Sequence, residues 1–138
     1  MNKWENRCKK KCREIVMQGG RCENCGDGGH RKHDQHHGLF KTSQRYILNP
    51  FLRYDPTLQF CLCNDCHLHT DDAPHRDQAA FVERMIICCP HRVQRLLELY
   101  SKPVPPVIDP RIIDWKKVHA NLVEHGRPLG NEILEGLA

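Results

Sequence analysis

Leu58-Gln59-Phe60-Cys61-Leu62-Cys63-Asn64-Asp65-Cys66-His67 is the stretch on which the reading of this chain turns. Leu58 to Leu62 has the apolar, alternating character of a strand, and Asn64 can cap a short helix carrying Cys66, His67 and Asp71. Between them, Cys63-x-x-Cys66 lets two sulfurs reach one ion from a single turn, and a tetrahedral zinc requires a second such turn. That turn is Cys22-x-x-Cys25, within Arg21 to Gly26, a segment shaped like a zinc knuckle in which glycine lets backbone N–H groups face the thiolates. Structural zinc on Cys22, Cys25, Cys63 and Cys66 is the expectation; a redox dithiol or independent buried thiols are the competing readings. Cys61 shares a strand face with Cys63, as a core residue or a competing ligand.

The rest of the composition agrees with a metal staple. A chain of 138 residues with 39% hydrophobic content fits one small domain, and a core of that size gains from a structural ion. No stretch approaches membrane-spanning length, and the Lys- and Arg-rich start has no apolar core behind it, so a cytoplasmic location is expected. In a reducing compartment, nine cysteines, an odd number, serve as metal ligands and buried thiols rather than a disulfide framework. A net charge of +4 suits a polyanionic partner without demanding one.

The pattern predicts an α+β fold in four consecutive segments. Residues 1–20 form a basic helix, with an Asn2/Glu5 capping box and a stop at Gly19-Gly20; Trp4, Cys8, Cys12, Ile15 and Val16 supply its apolar stripe. Its Lys3, Arg7, Lys9, Lys10, Lys11 and Arg13 make either a solvated face or one that contacts phosphates. Residues 21–75 form the zinc-stapled core, with a strand at His36 to Phe40 pairing with Leu58 to Leu62 across a long connection. Residues 76–102 are a helical extension: Pro74 opens a helix to about Cys88 and Pro90 another to about Ser101, with Val82, Met85, Ile86, Cys89, Val93, Leu96, Leu97 and Tyr100 as core. Residues 103–138 hold a proline-rich segment and a last helix, Trp115 to His125, capped by Asp114 and closed by Gly126. All four are expected to close into one compact domain, and the C-terminal helices offer a surface for a protein partner or a second copy.

Neighbours on a strand point to opposite faces, so of His36 and His37 one can face a metal while the other faces water or substrate. His67 and Asp71 stand one helical turn apart, a spacing that lets both reach an ion, with His69 and Asp72 as substitutes if the helix frays. His67 beside a zinc cysteine is otherwise a bystander, and His30 and His33 read as surface residues.

Taken together, the first Cys-x-x-Cys, the His36-His37 doublet and the stretch Leu58 to His67 resemble the zinc-containing branch of the HNH endonucleases, the ββα-metal or His-Me finger superfamily. The likeness covers roughly residues 20 to 75, and Arg53-Tyr54-Asp55 to Cys63 is also similar to the recombination nucleases of lambdoid phages. It implies a ββα-metal core with added helices and a metal-dependent DNA endonuclease leaving 5′-phosphate and 3′-hydroxyl ends, in a bacterial or phage-infected cell. His36 then corresponds to the strand ligand, His37 to the general base and His67 to the helix ligand, with Asp71 favoured by its spacing as the second. Such a ligand set tolerates magnesium, manganese, nickel or zinc. Lys9, Lys10, Lys11 and Arg13, with Arg45, Arg53 and Arg76, would hold the DNA backbone. The family's middle Asn has no counterpart in the aligned Asp55-Pro56-Thr57-Leu58; Asp55 and the upstream Asn49 are the substitutes. The alternative is a noncatalytic zinc module of the same type that binds DNA or protein.

Overall fold

Asn2 opens the first helix as expected, its side-chain oxygen accepting from the backbone N–H of Trp4 at 2.7 Å and of Glu5 at 3.4 Å. The structure, a computed structural model, describes residues 2–28, 32–36, 53–101 and 110–128. Helix α1 spans Lys3–Met17, after which Gly20, at φ 63, supplies the left-handed conformation that turns the chain. Strand β1, His33–His36, pairs antiparallel with β2, Phe60–Cys63, in the register His33 to Cys63, Asp34 to Leu62, Gln35 to Cys61 and His36 to Phe60. Helix α2 follows directly as Asn64–Leu68, then α3 as Gln78–Cys88, α4 as Pro90–Ser101 and α5 as Trp115–His125. Among the described residues the protein is thus α+β, with five α-helices and one two-stranded sheet.

Four boundaries differ from the sequence reading, each for a local reason. His36 ends β1 as described rather than opening it, and residues 37–40 lie outside the described residues. Leu58 belongs to a 3-10 turn, Pro56–Leu58, because the Asp55 carboxylate accepts from the Thr57 N–H at 3.0 Å and its hydroxyl at 2.6 Å; β2 therefore starts at Phe60. Asn64 is the first residue of α2, and its cap is Cys63, whose sulfur accepts from the Cys66 N–H at 3.5 Å. Helix α3 begins at Gln78, where Asp77 accepts from the Ala80 N–H at 3.1 Å, leaving Pro74 in the preceding turn.

Two apolar clusters flank the sheet. Phe60, Leu62, Phe81, Met85, Val93 and Leu96 pack with Cys22, Cys63 and Cys66; Cys8, Cys12, Tyr54, Trp115, Val118 and Leu122 join α1 to α5. Burying a side chain such as Phe81 contributes about 1.5–3 kcal/mol. Ile86 and Leu97, expected in the core, are 46% and 43% exposed, since the mutual stripe of α3 and α4 is too narrow to include them. The side chain of Tyr100 lies outside the described residues. No helix among the described residues is long and apolar enough to cross a membrane.

Arginines lock the helices onto the knuckle. Arg92 donates to the Gln59 carbonyl at 2.9 Å and the Cys89 sulfur at 3.0 Å, pairs with Glu23 and lies 4.7 Å over the Phe60 ring. Arg84 donates to the Asn24 side chain at 3.0 Å and its carbonyl at 3.2 Å. Arg95 closes on the fully buried Asp55 at 3.0 Å.

Candidate metal centres

The knuckle is a hydrogen-bonded loop before it is a ligand set. Cys22 N–H donates to the Asp27 carbonyl at 3.0 Å, Gly26 N–H donates back to Cys22 at 2.9 Å, and Gly26 adopts φ 79, which a side chain would disfavour. Glu23 fastens this loop to β2 twice: its N–H donates to the Cys61 carbonyl at 2.8 Å and its carboxylate accepts from the Cys61 N–H at 2.9 Å. The two Cys-x-x-Cys turns then match, with Cys25 N–H 3.5 Å from the Cys22 sulfur and Cys66 N–H 3.5 Å from the Cys63 sulfur.

This brings Cys22, Cys25, Cys63 and Cys66 together, with all four sulfurs within 4.8 Å of one another. Cys25 and Cys63 are 3.8 Å apart, and two sulfurs about 2.3 Å from a tetrahedral zinc would also stand about 3.8 Å apart. Burial opposes ionisation of Cys22, but surrounding backbone N–H groups, that of Cys25 foremost, outweigh it and hold the thiol below its ordinary value. Burial first, then the neighbouring sulfurs, push Cys66 far up, and burial also raises Cys25. Four thiolates cannot share so small a volume without a cation, and a bound divalent ion removes that conflict. Cys61 stays outside the group, its thiol pushed by burial up to about 11.

A second group takes the next residue of α2. Ligand atoms of His36, His67 and His75 all fall within 4.8 Å of one another, running from buried through intermediate to exposed. His67 and His75 approach Nε2 to Nε2 at 3.0 Å, and nitrogens about 2.05 Å from a common tetrahedral ion would stand about 3.3 Å apart. Asp34 shares a strand face with His36, and its carboxylate lies 3.3 Å from His67 Nδ1 and 3.3 Å from the Asn64 amide nitrogen. A proton on Nδ1 toward that carboxylate leaves the Nε2 lone pair of His67 facing the other two imidazoles. His36 packs edge-on against Phe81, with centroids 5.6 Å apart, which fixes its plane.

His36 and His67, singled out from sequence, are thus brought together; Asp71 does not join them. Helix α2 stops at Leu68, where the N–H groups of His69 and Thr70 both converge on the Asp65 carbonyl, so Asp71 leaves the helical face it was expected to share and is exposed. The turn continues through Ala73, whose carbonyl accepts from the N–H groups of Arg76 and Asp77 at 2.9 Å each, and it carries His75 back beside His67. His75 was not legible because eight residues is no helical repeat, although Thr70-Asp71-Asp72-Ala73-Pro74 does signal a reversal. Asp34 was missed because the expected strand began at His36; with β1 running His33–His36, two residues before His36 means the same face.

The other expected site residues are dispersed. Lys9, Lys10 and Arg13 are exposed on α1, and Lys11 pairs with Glu14 at 3.8 Å. Arg53 is partly buried next to Tyr54, whereas Arg76 donates to the His69 carbonyl at 2.6 Å. His37, Arg45 and Asn49 lie outside the described residues. Asp55 is committed to Thr57 and Arg95, where it braces the loop before β2.

Fold and site define a small α+β protein with a four-cysteine cluster positioned to bind a metal ion such as zinc. Compared with known protein families, curated proteins and solved structures, the chain matches none of them.

Proposed function

We propose that the protein is a metal-dependent DNA endonuclease of the HNH type, with structural zinc on Cys22, Cys25, Cys63 and Cys66 and a catalytic divalent ion on His36, His67 and His75. The observation that carries this reading is the three-histidine group beside the four-cysteine group, with Cys66 and His67 adjacent on one short helix. Bound there, a divalent ion supplies Lewis-acid stabilisation of charge on a phosphate and its leaving oxygen. His36 is the buried anchor of the set, and Asp34 holds His67 in the tautomer that ligates. His75 lies on the solvent side, where a phosphodiester would arrive. His37, next in sequence to His36, is the proposed general base: a neutral imidazole near pH 7 accepts the proton of the attacking water.

Plasmid nicking by purified protein, with magnesium, manganese, nickel and zinc supplied in turn and a chelator control, tests the reading. His37→Ala should retain both metals and cut about 10² to 10⁴ more slowly. His67→Ala and His75→Ala should lose the second ion and recover partly at higher metal concentration. No cutting by the wild type with any ion would leave a noncatalytic zinc module, and wild-type cutting by His37→Ala would remove the base assignment.

A further inference from the structure

The six cations of α1 do not form one face. Lys3, Arg7, Lys10 and Lys11 follow the i, i+4, i+7, i+8 rows of one stripe, whereas Lys9 and Arg13, four apart, fall on another. Trp4 decides which stripe has a neighbour. The Arg7 guanidinium lies 4.5 Å and the Lys116 ammonium of α5 5.7 Å from the centre of its ring, with His119 stacked obliquely at 5.6 Å. Trp4 therefore gathers cations from two helices distant in sequence. The two helices touch where the Cys8 thiol donates to the Trp115 carbonyl at 3.4 Å, and Ile15, Val16 and Gly126 line one cleft.

We infer that the face formed by Arg7 and Lys116 over Trp4, extended along α1 by Lys3 and Lys10 of the Arg7 stripe, is a docking surface for a nucleic-acid backbone. Within the described residues no carboxylate pairs with any of these four, and on this stripe Glu14 neutralises only Lys11. From Lys3 to Lys10 the stripe rises about 10 Å, the axial length of about three nucleotides of one strand. A row of exposed positive charge without base-reading geometry contacts phosphates and positions a duplex without selecting sequence. The inference rests on the nuclease reading for its biological purpose, but binding can be tested separately from cutting.

The test is fluorescence anisotropy of the full-length, metal-loaded protein with labelled duplexes of unrelated sequence across a salt series. Arg7→Ala combined with Lys116→Ala should lower the slope of log K against log salt by about two, one for each phosphate no longer neutralised, on every sequence. Arg7→Lys with Lys116→Arg should restore it, because the slope counts charges rather than side-chain shape. Lys117→Ala, exposed and about 100° around α5 from Lys116, should change the slope little. An unchanged slope in the Arg7/Lys116 double variant, a loss of about one unit or more in Lys117→Ala, or no salt-dependent binding by the wild type would overturn the surface. Wild-type protein that binds with this pattern yet nicks no plasmid would overturn the nuclease reading and leave the surface standing.

Discussion

Thiols in this chain differ by what surrounds them. Burial pushes Cys8 and Cys12 from the ordinary value of 9.0 up to about 12, while Cys88 sits exposed on α3. Near neutral pH, iodoacetamide should label Cys88 first and leave Cys8 and Cys12 untouched until the protein unfolds, as read by peptide mass spectrometry. Equal labelling of Cys8 and Cys88 would contradict the packing of α1 on α5. A stability change with pH follows from the same shifts. Unfolded thiols ionise near pH 9, whereas the folded ones hold their protons to about 12, so this stabilisation is complete below pH 9 and is lost as pH rises toward 12. Tyr54, raised chiefly by burial and next by its 2.7 Å hydrogen bond to Glu5, acts in the same direction. Denaturant midpoints should accordingly fall across that alkaline window.

Helix α2 contributes a residue to each candidate metal group. Its five residues are too few to hold a helix alone, since nucleation is unfavourable and one turn recovers little of the cost. Its start is held by the sulfur of Cys63 and its middle by Cys66, and the adjacent His67 inherits its position from them. On the proposed two-metal reading, Cys66→Ser should therefore release both ions, whereas His75→Ala should release only the second; elemental analysis after gel filtration distinguishes the two. Retention of the histidine-bound ion in Cys66→Ser would show that the β1–β2 ladder and the turn from His69 to Asp77 suffice to place the histidines. Caps were legible at this scale: Asn2 and Asp114 stand where a local rule puts them, each accepting from N–H groups two or three residues on. Pro74 misled because the Asp77 cap lies three residues beyond it, and nothing in a local pattern ranks one helix start above the other.

Over the whole molecule, the four-cysteine group belongs to only one of the two apolar clusters. Cys22, Cys63 and Cys66 sit inside the cluster around Phe60 and Phe81, while the α1–α5 cluster around Trp115 contains none of these ligands. Chelation should abolish the sharp thermal transition of the first, because a small core that includes its own ligands loses both the cross-link and the packing. Near-UV circular dichroism would follow the process, with the buried Trp115 reporting whether the second cluster goes with it. A melt unchanged by chelation would mean that the cysteines are not the staple of this fold.

The nearness of His36 and His67 was expected only from a family resemblance, whereas by itself the sequence determined the two Cys-x-x-Cys turns, the α+β pattern and most helix boundaries. Each follows from residue types at short fixed spacings, and backbone geometry converts such spacings into position without outside help. Tertiary structure alone decided that His75 replaces Asp71 beside His67, that Ile86 and Leu97 face outward, and that Lys116 joins Arg7 over Trp4. Those outcomes depend on where a turn points and how closely two helices approach, and both are set by packing among residues far apart in the chain.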